Sequence, residues 1–326
     1  MNTIIKFLIC ALLALKLEAS PSLHLESLML WDRCVNELTK ISPLFDRGKD
    51  RLCAYLFHAQ KIAFDRNENM DLISVHVIQL FYPKYGQGIF SYGVLNPLYK
   101  RFHEEESKIH PIVLTRKGGG WIGNVPYHGL EIPTWKPWRL KSAYQYRLEA
   151  PPTDEGFWKD QLFQVKQEMH HATDKQKERI KYWAGMPSAL EGNWLIIANE
   201  YMKGTHVPLE TQIEVRDALG RVIVDSTVAA FDSKYTYLIK RPDMIDPELI
   251  TYIPTPNHPS FPSAHSTVSS AVVEVLNHYF PQNKSEWNRL LEEAGMSRIW
   301  AGLHFPIDHK EGMALGKKVG QNFLKQ

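Results

Sequence analysis

Residues 208–232 read PLETQIEVRDALGRVIVDSTVAAFD. Pro208 suits the first turn of a helix, because its missing N–H would have no partner there anyway. Ile213, Leu219, Ile223, Val224, Val228 and Phe231 then recur at helical spacing and line one broad face. The spacing predicts a long helix from 208 to about 232. Working outward, the same period returns on both sides. Upstream it runs through Leu28, Trp31, Val35 and Leu38, and again through Leu52, Tyr55, Leu56, Ala59 and Ile62, with Pro43 and Gly48 between. Thr173-Asp-Lys-Gln176 reads as a capping box opening a helix to Trp183, and another covers about 193–203 before Gly204. Downstream, helices are expected over Val268–Tyr279, Trp287–Ala301 and Ile307–Leu324. Alternating strand pairs with hairpin turns do not occur, so the fold class is all-α, a helical bundle.

One region departs from this texture. From about 83 to 157 prolines, glycines and aromatics dominate, which predicts irregular, pocket-shaping structure. Its Gly118-Gly119-Gly120 run has no following Lys-Ser/Thr and reads as a turn rather than a phosphate loop.

The chain has 326 residues, 44% of them hydrophobic, and a formal net charge of +2. That charge is too small to support nucleic-acid binding through a general positive field. Lys6 followed by the apolar run 7–15 and by Ala19 and Ser20 reads as an export signal over residues 1–19. A periplasmic or secreted location follows as an expectation. No later run is long and apolar enough for a transmembrane core. Cys34 and Cys53 remain after processing, and the sequence leaves open whether they pair.

Three clusters between 234 and 308 carry the chemistry. Lys234 and Arg241 lie seven apart, placed by spacing at the end of the long helix, with Pro242 stopping it just beyond. Pro262-Ser263-Ala264-His265 follows a proline-stiffened approach; Ser263 is a candidate helix cap, and the free amides of that first turn suit an anion. Ser297-Arg298 precedes His304, and Asp308 follows four residues later, a spacing that lets a carboxylate hold one imidazole nitrogen and leave the other free. Three cations, two imidazoles, a hydroxyl and a carboxylate suit gripping a tetrahedral oxyanion and reacting at its central atom. His258 is a weaker candidate for the pocket, and Asp232 for orienting Lys234. His170, His171, Lys317 and Lys318 read as solvated surface.

The pattern Lys-x6-Arg-Pro, Pro-Ser-x-His, Ser-Arg-x5-His-x3-Asp resembles the signature of the type 2 phosphatidic acid phosphatase and vanadium-dependent haloperoxidase superfamily. Segments from Trp138-Arg-Leu-Lys and Thr173-Asp-Lys-Gln are similar to its soluble, haloperoxidase-like branch, so the resemblance covers about 135–326. Ala264 stands where that family usually has glycine. A catalytic core is expected over 131–326, and residues 20–130, a helical and irregular scaffold, lie outside the resemblance. The resemblance implies that Lys234, Arg241, Ser263, Ala264 and Arg298 bind phosphate or vanadate oxygens. His304, oriented by Asp308, would be the nucleophile forming a phosphohistidine, and His265 the acid and base. Phosphoester hydrolysis without a cofactor ranks first. A haloperoxidase using halide and hydrogen peroxide, with vanadate on His304 as axial ligand, ranks second. A non-catalytic anion-binding protein is the third reading.

Overall fold

A computed structural model of the chain describes residues 49–68, 73–74, 77, 96–114, 119–184 and 191–325. The expected export signal, the first expected helix with Cys34, and Gly118 lie outside the described residues. All regular elements among the described residues are helices, and they set the fold class as all-α. They are α1 (Lys49–Asp65), α2 (Asn96–Glu106), α3 (Glu155–His171), α4 (Asp174–Ala184) and α5 (Glu191–Gly204). There follow α6 (Leu209–Tyr237), the short α7 (Pro242–Ile245), α8 (Ala264–Tyr279), α9 (Lys284–Trp300) and α10 (Pro306–Leu324). No helix among the described residues is long and apolar enough to cross a membrane.

Helix α2 corrects one expectation, because it lies inside the stretch read as irregular. Between Leu98 and His110 that stretch has neither glycine nor proline. Leu98, Phe102 and Glu105 are buried at helical spacing, and Pro97 occupies the first turn, where it is tolerated. From 108 to 154 the described residues hold only a single 3-10 turn, at Ile132–Thr134. The capping box at Thr173 is present: its hydroxyl accepts from Gln176 N–H at 3.3 Å, and Gln176 Oε1 accepts from Thr173 N–H at 2.8 Å.

The chain divides into two units, residues 1–107 with 195–221, and residues 108–194 with 222–326. The first contains α1 and α2, and buries Leu52, Tyr55, Leu56, Phe57 and Phe102; Cys53 is buried there too. The second holds every cluster singled out above. Its centre is α8, which packs most extensively on α10 and next on α9. The apolar face of α8, Val268, Val272, Val273, Val275 and Leu276, is buried, which is worth about 1.5–3 kcal/mol per side chain. Glycines let α10 come close: a Cβ on Gly316 would sit 2.0 Å from the Thr267 carbonyl oxygen, and one on Gly312 would sit 2.8 Å from that of Ser263. This contact sets the start of α8 beside the start of α10. Helix α3 covers the far side of α9 and α10 through Val165, Ile299 and Phe305, with Trp158 edge-on to Phe305 at 5.1 Å.

Candidate active site

Lys234 stands one turn before the end of α6, which runs to Tyr237 and so extends past the expected stop. Arg241 is not on that helix. Leu238 turns the chain with a left-handed φ of 51°, and Arg241 becomes the N-cap of α7, which Pro242 opens rather than closes. The turn is held by the glycine run: Gly119 N–H donates to Tyr237 O at 2.7 Å and Trp121 N–H to Leu238 O at 2.8 Å. A Cβ on Gly119 would stand 2.3 Å from the end of the Ile239 side chain and 3.1 Å from its Cα, so the glycine lets the two segments pack without displacing that side chain. Seven residues of spacing are therefore bridged by a turn and an extended segment, and both cations still reach one place.

Ser263 caps α8, its hydroxyl accepting from Ser266 N–H at 3.3 Å, while Thr267 N–H bonds the Ser263 carbonyl at 3.0 Å. The Ala264 and His265 amides of that turn are left for a ligand. Arg298 sits in the last turn of α9 and donates to Ile180 O at 2.9 Å and to Ser297 Oγ at 3.0 Å. His304 lies just before α10. Its Nδ1–H donates to Asp308 Oδ2 at 2.8 Å, and Arg241 donates to its Nε2 at 3.4 Å. An arginine only donates and a carboxylate only accepts, so the proton belongs on Nδ1 and Nε2 keeps its lone pair facing the cations.

The remaining contacts show how the cations are held. Lys234 Nζ donates to the carbonyls of Pro259 at 2.8 Å and Ser260 at 2.7 Å. Arg241 donates to the carbonyls of Leu303 at 2.7 Å and His258 at 2.9 Å, and to His258 Nδ1 at 3.1 Å. Lys234, Arg241, Ser263, Arg298, His304 and Asp308 are all buried, and Ala264 and His265 are half-buried. The half-buried His265 donates from Nε2 to the Trp183 carbonyl at 3.1 Å.

Three buried cations gather here; Asp308 acts on Lys234 and Arg241, and Asp243 on Arg241. Burial depresses Arg241 to about 10 and Arg298 to about 9, the latter pushed further by Arg241. Burial and then Arg241 hold Lys234 well below the ordinary lysine range. His304 is held far below an ordinary histidine by burial and then by Arg241 and Lys234, and His265 by burial and then Arg298. Both rings are neutral near pH 7. Asp308 is pushed up to about 6 by burial, against the hydrogen bonds from Ser260 and Phe305 N–H that favour its charged form. Such a cage lacks negative charge, and a bound oxyanion would supply it.

All eight residues expected at the site, Lys234, Arg241, Ser263, Ala264, His265, Arg298, His304 and Asp308, are brought into this arrangement by α6, α8, α9, α10 and the turns between them. His258 joins them as a cap on Arg241, its ring tilted against Phe231 at 5.2 Å between ring centroids. Asp232 does not orient Lys234; it accepts two hydrogen bonds from Arg147, at 2.6 and 2.7 Å. His170, His171, Lys317 and Lys318 are exposed as expected. Sequence reasoning missed Ser260, whose hydroxyl reaches Asp308, and the carbonyls of Ile180 and Trp183, since a backbone acceptor leaves no mark in a sequence. It also missed His309, which bonds Ser266 Oγ at 2.8 Å and Glu292 at 3.3 Å and so ties α10 to α8 and α9.

A family model described as the PAP2 superfamily matches residues 218–321. That stretch contains every one of the eight residues. Over residues 218–321 the chain is similar to the PAP2 superfamily. The likeness of fold extends further than the family match. A structure titled the first bacterial vanadium-dependent iodoperoxidase aligns with a TM-score of 0.70 at 18% identity, covering 95% of this chain and 97% of that one. The holo form of a bacterial vanadium-dependent chloroperoxidase aligns with a TM-score of 0.58 at 14% identity, over 85% of this chain and 82% of that one. At these identities the likeness is one of fold. No curated protein matches the chain.

Proposed function

We propose that the protein hydrolyses small-molecule phosphoesters through a phosphohistidine on His304. The observation that carries this reading is the unprotonated Nε2 of His304, its ring fixed by Asp308 and set against Arg241 and Lys234. Every group the reaction needs is on the chain. The three cations, Ser263 and the Ala264 and His265 amides take the equatorial oxygens, where charge gathers during phosphoryl transfer. His304 Nε2 attacks phosphorus while the bond to the leaving oxygen breaks. The negative charge of the bound phosphoester favours the imidazolium form of His265, which gives a proton to that oxygen and is left neutral. The same ring then takes a proton from water as the water attacks the phosphohistidine; the P–N bond breaks and orthophosphate leaves. Residues 1–19 make export part of this proposal.

The whole-chain likeness to haloperoxidases favours a second reading. The donor set fits vanadate, a tetrahedral oxyanion: the same cations and amides would hold its oxygens and His304 its metal atom. When bound, vanadate would supply activation of hydrogen peroxide toward halide. Both readings are tested on one preparation. The first expects release of phosphate from an aryl phosphate in the presence of chelator, inhibition by vanadate, and a phosphorylated histidine trapped in His265→Ala. Halogenation with vanadate, peroxide and bromide or iodide, without any phosphate release, would reverse the order.

A further inference from the structure

Ser260 is fully buried and touches three parts of the site. Its N–H donates to Ile239 O at 3.0 Å, and its carbonyl accepts from Lys234 Nζ at 2.7 Å. Its hydroxyl donates to Asp308 Oδ2 at 2.5 Å, and the hydroxyl oxygen stands 3.3 Å from His304 Nδ1. Asp308 Oδ2 therefore receives three donors, the others being His304 Nδ1 at 2.8 Å and Phe305 N–H at 3.0 Å. Its Oδ1 is buried without a partner among the described residues. A carboxylate torsion is soft, so the donors on one oxygen decide how the group lies. Two of the three come from the same turn as Asp308 and would move with it. Among the described residues, only the Ser260 hydroxyl ties the carboxylate to the segment that also carries the acceptors of Lys234.

We propose that Ser260 is a positioning residue that sets Asp308, and through it the His304 ring, in register with the cations; this rests on the function proposed above. The carbonyl that holds Lys234 belongs to the backbone and survives a change of side chain. Loss of the hydroxyl therefore separates the two roles, leaving the grip on the anion intact and loosening the ring that attacks it.

The test uses the full chain. Ser260→Ala should lower kcat for an aryl phosphate about 10-fold, as loss of an outer partner of an oriented histidine does, with the inhibition constant for orthophosphate unchanged. Ser260→Thr, which keeps a hydroxyl, should recover most of the rate. In an Asp308→Asn background Ser260→Ala should cost nothing further, because the two act in series. Full kcat in Ser260→Ala, or the same loss added on top of Asp308→Asn, overturns the inference. A readout independent of turnover is the nitrogen resonance of His304 Nδ1 in histidine-labelled protein, which should shift in Ser260→Ala; an unmoved resonance also overturns it. A shifted resonance in a protein whose wild type releases no phosphate keeps the inference and removes the hydrolase reading alone.

Discussion

Two buried charge clusters in this chain are built on opposite plans. In the first unit Arg51 pairs with Glu105 at 3.1 Å and with Glu106 at 2.8 Å, and Arg101 pairs with Glu105 at 2.8 Å. Asp217 there takes Arg221 at 2.5 Å and His58 at 3.0 Å. Each cation has a carboxylate, as a structural cluster requires. In the site Lys234, Arg241 and Arg298 bond mostly to backbone carbonyls. Asp308 acts on Lys234 and Arg241, Asp243 on Arg241, and the charge that acts on Arg298 is another cation, Arg241. Carbonyls satisfy N–H groups without neutralising them, so the cage stays short of negative charge. Balanced charge holds a fold together, and unbalanced charge is what a ligand anion completes.

Removing the nucleophile should have the largest effect. His304→Ala is expected to take phosphate release to background, a loss on the order of 10⁶-fold where a covalent nucleophile is deleted. An active variant would sink the assignment and move the comparison back to simple anion binding. In the balanced cluster, Glu105→Gln should weaken folding by about 3 kcal/mol, since it takes the carboxylate from half-buried Arg101 and leaves buried Arg51 with Glu106 alone. Its kcat per folded molecule should match wild type, measured by denaturant titration beside the phosphatase assay. In the cage, Arg298→Ala should cost roughly 10²–10³ in kcat/KM, the usual loss for one oxyanion donor. It should also move the His265 titration up toward the ordinary histidine value, because Arg298 is the largest charge holding that ring down. A ring that titrates as before would mean the unbalanced charge is not what depresses it.

The smallest effect is a pH dependence. His258, His265 and His304 each have a folded pKa below the ordinary value of 6.5. Below that pH the unfolded chain takes up protons that the folded one refuses, so stability is full above 6.5 and declines as the pH falls. Asp308, pushed up to about 6, works the other way, one group against three. Melting temperature should therefore drop between neutral and mildly acid pH. Orthophosphate should restore it, by about 2.7 kcal/mol at a hundred times its dissociation constant. A phosphate effect equal in His304→Ala and in a variant lacking two cage cations would locate the binding elsewhere.

Much of this was legible in the residues. The helical periods of 208–232 and of the last three helices follow from apolar spacing, which local sequence sets directly. The Thr173 box and the Ser263 cap depend on contacts three residues apart. The eight site residues were legible because each is a charged or special side chain in a short pattern. The helix at Asn96–Glu106 was obscured by the prolines and glycines around it, although its own eleven residues have a buried helical face. The route from Lys234 to Arg241 was also misread, because the left-handed turn at Leu238 depends on Gly119 and Trp121, more than a hundred residues earlier in the chain.

By itself, then, the sequence determined most of the helices and the side chains that the candidate site gathers, since those properties rest on neighbours within a few residues. Only the tertiary structure decided what each charge faces. Asp232 went to Arg147 rather than to Lys234, Ser260 reached Asp308, and the carbonyls of Ile180 and Trp183 met Arg298 and His265. These are contacts between segments far apart in the chain, made by backbone groups every residue has, and only packing selects among them.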